Sequence, residues 1–239
     1  VNRHEFFQTS LISSLMDGVY EDEMSIGELL SHGSFGIGTF NALDGEMVIL
    51  DGQCFQLRGD GTTTPASMSQ FTPYATVTNF VPSHRLEITG PLHRADLSHL
   101  IDDLLPSANY MYALRIRGHV EWVTTRTVVQ QSKPFRPMVQ ATDGEEVVRL
   151  EDVDGTFVGF RTPVYQQGIS VPGCHVHFID DSRTHGGHVV DFGIRSGSVE
   201  VCVGTDLRLR LPLTTEFERA DLAPEDLAEQ VARTEHAQG

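Results

Sequence analysis

The sequence predicts an α/β protein, α+β-like in character, built as two domains. Three observations carry that expectation: short alternating apolar stretches punctuated by Gly and Asp-Gly turns, a few stretches of helical periodicity, and one Pro-broken segment, Lys133-Pro134-Phe135-Arg136-Pro137, between two β-rich halves. The boundary is placed at that segment. Residues 1–137 form one unit of helices and strands, and residues 138–239 a β-rich unit with a helical tail.

Residues 5–15 carry apolar side chains at Phe6, Phe7, Leu11 and Leu15, and residues 25–30 form a second helical patch before Gly33. Both read as surface helices over a sheet. Residues 35–57 read as a meander, with the Leu43-Asp44-Gly45 and Asp51-Gly52 turns separating three strands. Residues 74–81 and 86–88 are further strands, and residues 95–105 a helix stopped by Pro106. Residues 110–118 and 119–129 alternate as strands. Beyond the boundary, five short strands are expected at 155–162, 173–179, 188–194, 199–203 and 207–211, with a closing helix over 224–233.

The chain has 239 residues and 39% hydrophobic content, enough for one substantial core or two small ones. Apolar runs such as Met47-Val48-Ile49-Leu50 fall far short of the roughly 20 residues of a membrane span, which excludes membrane insertion by helices. The formal charge of −16, from 33 acidic against 17 basic side chains, repels phosphate backbones and argues against nucleic acid as a partner. Of those basic residues only Lys133 is a lysine. Cys54, Cys174 and Cys202 are odd in number and lack C-x-x-C spacing, which fits neither a disulfide framework nor an all-thiolate metal site. That cysteine usage leads to the expectation of a cytoplasmic protein, while Val1-Asn2-Arg3-His4-Glu5, which lacks a basic-then-apolar pattern, leaves export open.

The chemistry concentrates in Gly173-Cys174-His175-Val176-His177-Phe178-Ile179. On a strand, His175 and His177 project to one face and Val176 and Phe178 to the other. The segment from Asp180 to Gly187 has turn chemistry throughout, so a hairpin there brings His188 across from the first pair. Three imidazoles bind a divalent metal and leave positions open for substrate, the catalytic pattern for zinc. His185 competes as third ligand, but its place on the turn favours solvent. The plainer alternative is a polar sheet face lined by histidines.

Several separate stretches resemble the α-acetolactate decarboxylase family along nearly the whole chain. They are Ser14-Leu15-Met16-Asp17-Gly18-Val19-Tyr20, His32-Gly33-Ser34-Phe35-Gly36-Ile37-Gly38-Thr39-Phe40, Leu43-Asp44-Gly45-Glu46-Met47, Val171-Pro172-Gly173-Cys174-His175-Val176-His177-Phe178-Ile179 and Gly186-Gly187-His188-Val189-Val190-Asp191-Phe192. The resemblance implies Zn2+, or another divalent metal, on His175, His177 and His188. It implies a glutamate at Glu46, an arginine at Arg126, a threonine near the site at Thr39, and a second glutamate from the C-terminal tail. That last residue matches Glu235 best, with Glu229 as rival. Cys174 stands where the family carries an aromatic residue. The resemblance further implies an N-terminal mixed sheet extended across a homodimer and a barrel-like C-terminal sheet carrying the histidines.

Decarboxylating a 2-hydroxy-2-methyl-3-keto acid to acetoin needs an electrophile for the electrons that CO2 leaves behind. A metal or an iminium serves, and the iminium route has only Lys133, in an apparent linker. Arg126 offers a planar charged fork for the substrate carboxylate or the enediolate oxygen. Glu46 and Glu235 are the candidates to deliver the final proton, and Thr39 to hydrogen-bond substrate or a carboxylate. Two other functions stay open on the residues alone: a cupin-like metal oxygenase or isomerase, which also uses H-x-H on a strand, and a non-catalytic module stapled by metal.

Overall fold

A computed structural model of the chain describes residues 4–142 and 145–235. Its strands form two large sheets and one short pair. The first sheet has seven strands in the order β15 (Asp206–Arg210), β1 (Glu5–Thr9), β8 (Ala75–Thr78), β3 (Phe35–Thr39), β4 (Glu46–Leu50), β5 (Gln53–Leu57) and β6 (Thr63–Pro65). It is mixed: β1 runs parallel to β15 and antiparallel to β8. In the second sheet β11 (Met111–Thr127) pairs with β12 (Glu146–Thr162), β12 with β13 (Gly173–Asp180), β13 with β14 (Gly186–Gly204), and β14 again with β11. Those four strands close a ring, the barrel-like sheet expected to carry the histidines. Strands β9 (His84–Ile88) and β10 (Leu92–His93) extend along β14, and β2 (Met24–Ser25) pairs with β7 (Phe71–Thr72). The helices are α1 (Ile12–Met16), α2 (Ile26–His32), α3 (Arg94–Leu104), α4 (Met138–Ala141), α5 (Thr215–Arg219) and α6 (Leu227–Glu235). Among the described residues no helix is long and apolar enough to cross a membrane.

Residues 5–15 depart from expectation. They are a strand and a short helix rather than one surface helix, and α1 is buried throughout. The physical reason is two-sided burial: Phe6 meets the inter-sheet core and Phe7 the opposite core, so the strand loses its alternating signature. Ser10, in the left-handed region at φ 63°, makes the turn between them. Helix α2 forms as expected, with the Ser25 hydroxyl accepting from the Glu28 amide as N-cap.

The expected short strands past residue 110 merge into long ones, β11 and β12 of 17 residues and β14 of 19. They survive sharp bending because Gly118 lies opposite both Gly155 and Gly197. A Cβ on Gly118 would stand 2.1 Å from the Ser196 carbonyl oxygen, and one on Gly197 2.2 Å from that of Arg117, so only glycine lets the strands approach so closely. The sheets also do not part at residue 137. Strands β9 to β11 precede it and lie in the second sheet with β12 to β14, whereas β15 follows it and lies beside β1. The Pro-rich break marks a loop, not the seam between sheets.

Phe35, Val48, Phe55 and Leu57 of the first sheet pack against Ala113, Val158, Phe160 and Ile179 of the ring. Each of these buried side chains other than Ala113 contributes about 1.5–3 kcal/mol. At one end of this sandwich Ile12, Leu15 and Met16 of α1, Met138 of α4, and Leu227 and Val231 of α6 pack over Leu43, Tyr74 and Val128. Beneath that helical roof lies the histidine cluster.

Candidate metal centre

His177 and His188 face each other across the β13–β14 ladder, and His188 is paired on its other side with Arg126 of β11. Three adjacent strands therefore present a row of His177, His188 and Arg126. His175, two residues before His177, joins from the same face. The hairpin depends on Asp180, whose carboxylate accepts from the amides of Thr184 and His185 and from the Ser182 hydroxyl. His185 lies on that turn with a half-exposed side chain, its ring against Thr184 and Asp180. It is not a member of the cluster.

Ring hydrogen bonds fix which nitrogens carry protons. A carbonyl oxygen only accepts, so His177 Nδ1 donates to Met47 O at 2.9 Å, and His188 Nε2 to Glu235 O at 3.1 Å. That leaves lone pairs on His177 Nε2 and His188 Nδ1, the latter 3.2 Å from His175 Nε2. Burial depresses the His177 pKa to about 4 against the pull of the Met47 carbonyl. Burial, with the charges of His175, His177 and Arg126, holds His188 well below its ordinary value. Both rings are thus neutral near pH 7, as ligands must be.

The fit to a metal is testable on one atom. His177 Nε2 is fully buried and has no hydrogen-bond partner, because Glu46 Oε2 at 3.7 Å is too distant. Such an orphan costs about 1–3 kcal/mol unless something takes its lone pair. One nitrogen from each of His175, His177 and His188 lies within 4.8 Å of the others, the one such grouping among the described residues. The donor set fits a divalent cation.

Around the imidazoles stand the other residues expected from the sequence. Thr39, at the end of β3, pairs in register with Glu46, the first residue of β4. Its hydroxyl donates to Gly45 O at 2.8 Å and so pins the turn that aims Glu46. Gly45 is left-handed at φ 87°, and a Cβ there would stand 2.2 Å from Leu57 O, so that turn requires glycine. Helix α6 ends with Glu235, whose Oε2 is 3.4 Å from His175 Nε2, while Glu229 lies on the exposed face of the same helix. Arg126 donates through Nη2 to the Thr234 carbonyl, and its Nη1 is 3.4 Å from Glu145 Oε2. Burial raises Glu46 to about 8, helped by the charges of Glu235 and Glu145 and opposed by the Val128 amide and Arg126. Burial likewise raises Glu235 to about 7, with Arg126 lowering and Glu145 raising it. Cys174 turns away from the imidazoles into the ring's own core.

The pocket wall holds residues that the sequence reading missed: Glu145, Tyr74, Met138 and Thr234. Glu145 immediately precedes β12 and belongs to no periodic stretch, so nothing local flags it. Gly38 and apolar Ile12, Leu15, Leu43 and Val128 complete the lining.

A family model described as alpha-acetolactate decarboxylase matches residues 6–224. The alpha-acetolactate decarboxylase of Bacillus subtilis (strain 168) is 42% identical over 231 residues, covering 97% of this chain and 91% of the relative. That of Klebsiella aerogenes is 43% identical over 221 residues, covering 92% and 85%. The crystal structure of the Bacillus subtilis strain 168 protein superposes with a TM-score of 0.96 at 41% identity, over 98% of this chain and all of that one. A Staphylococcus aureus protein described as similar to alpha-acetolactate decarboxylase superposes with a TM-score of 0.92 at 30% identity, over 97% of this chain.

Proposed function

The chain belongs to the alpha-acetolactate decarboxylase family and decarboxylates acetolactate, and on that premise we propose that His175, His177 and His188 hold a divalent metal, zinc in the first instance, at the reacting centre. The observation that carries this is the buried, unpartnered Nε2 of His177, aimed at the two other imidazoles.

Acetolactate breaks the bond between its carboxylate and C2, and the electron pair runs into the neighbouring ketone to give an enediolate. When bound, a metal supplies a Lewis acid for the ketone and hydroxyl oxygens. Arg126 presents a permanently charged fork, held by the Thr234 carbonyl on one nitrogen, and takes the substrate carboxylate on the other. Glu46 and Glu235 flank the imidazoles from opposite elements, 3.7 Å from His177 and 3.4 Å from His175, so either carboxyl is placed to hand a proton to one face of the enediolate. Thr39 acts through the turn it pins, keeping Glu46 on that face. The apolar wall from α1, α4 and α6 keeps water from competing for the carbanionic carbon. The iminium route finds no amine here, since Lys133 pairs with Glu21 at 2.6 Å on the surface.

Nothing in the site favours the oxygenase or the purely structural reading. A homodimer and a cytoplasmic location belong to the same proposal. The first has support in β15, the terminal strand of the seven-stranded sheet beside β1, and in exposed Leu211 and Leu213 just beyond it. The second has support in Cys54, Cys174 and Cys202, none of which is bridged as a disulfide. Acetoin and CO2 release from racemic acetolactate tests the centre, using metal-loaded protein, chelated protein and His177→Ala with folding checked by circular dichroism. Loss of turnover on chelation and in His177→Ala is expected, with elemental analysis showing metal in the wild type only. Full turnover by chelated, folded protein would remove the metal from the reaction.

A further inference from the structure

The pocket sets three carboxyl groups around one arginine. Glu46 and Glu235 also face imidazoles, at 3.7 Å from His177 and 3.4 Å from His175. Glu145 differs. Its carboxylate turns to Arg126 Nη1 at 3.4 Å, and both side chains are only 14% exposed. Nη2 is taken by the Thr234 carbonyl, and Glu145, which lines the pocket together with Arg126, lies against Nη1. An anionic ligand thus meets a guanidinium that already has an anion on it.

We propose that Glu145 is a positioning residue that stands in for the substrate carboxylate, holding the Arg126 fork toward the pocket and yielding Nη1 when acetolactate arrives. This rests on the reading of Arg126 as the carboxylate-binding residue. Its energetic consequence is that substrate affinity is a difference: the incoming ion pair is gained and the internal one is lost. The same exchange discriminates against ligands with no carboxylate, which cannot replace Glu145. Removing the charge while keeping an acceptor, as Glu145→Gln does, therefore tightens binding of any small carboxylate that uses Arg126. Damage to the fold does not produce that result.

The test compares wild type, Glu145→Gln and Arg126→Lys, measuring KM for acetolactate and Ki for 2-hydroxy-2-methylpropanoate, an inert carboxylate with the same hydroxyl and methyl groups and no ketone. In Glu145→Gln both constants should fall together, roughly three- to tenfold, the range of one weak ion pair. Constants that stay or rise overturn the proposal. Arg126→Lys should raise Ki. If it does and Glu145→Gln still fails to lower Ki, only the stand-in role falls; if Arg126→Lys leaves Ki unchanged, the carboxylate-binding role of Arg126 falls first.

Discussion

His175 and His177 are legible because two residues on a strand share a face, and His188 because a turn-rich segment separates it from them; only the ladder shows that His188 also neighbours Arg126. Choosing Glu235 over Glu229 needs the helix itself, since either fits a tail glutamate by sequence. Glu46 gives a residue-scale prediction. Its pKa is raised from 4.5 to about 8, so without a cation the folded chain holds a proton there that the unfolded chain releases. Below about pH 4.5 both states are protonated and nothing is at stake. Between there and about pH 8 stability falls as pH rises. Chelated Glu46→Gln should therefore match wild type in urea midpoint near pH 4.5 and exceed it increasingly toward pH 8. A difference that ignores pH would sink the argument. With metal restored the order should reverse at pH 8, because a cation favours the carboxylate that glutamine lacks.

Among the elements, α1, α4 and α6 roof the site; the sequence reads α6 as a helix, α1 only as the end of a longer surface helix over residues 5–15, and α4 not at all. Helix α1 is five residues long and buried on all sides, so it lacks an amphipathic stripe, and α4 has four residues. Strand types are read well from alternation, but lengths are not, because Gly118, Gly155 and Gly197 resemble turn signals when they mark bends inside continuous strands. The roof makes a prediction of its own. Leu15, 3% exposed, packs in the α1–α6 cluster and lines the pocket. Leu15→Ala should cost about 2–5 kcal/mol in denaturant unfolding. It should also weaken the wall around Glu235, lowering kcat in protein that is still folded at the assay temperature. Unchanged kcat at reduced stability would show that the roof closes the core without shaping the site.

At the scale of the molecule, the net charge of −16 surrounds a pocket that binds an anion. The distant field opposes substrate entry and is screened by salt, whereas Arg126, 14% exposed, is screened much less. KM for acetolactate should fall as ionic strength rises from about 0.01 to 0.15 M, where the Debye length shrinks from about 30 to 8 Å. A rise in KM over that range would mean that the charge of the site outweighs that of the surface.

The closed ring has a further consequence. In an open hairpin, sliding one strand by a single residue costs a few backbone bonds and turns every side chain to the opposite face. Such a slip between β13 and β14 would send His188 away from His177 while preserving composition, hairpin and turn. Here β14 is also locked to β11, β11 to β12, and β12 back to β13, so no strand can shift without breaking pairings around the whole circuit. The ring thus acts as a length standard, fixing the spacing of the three imidazoles by counting residues around a loop of four strands.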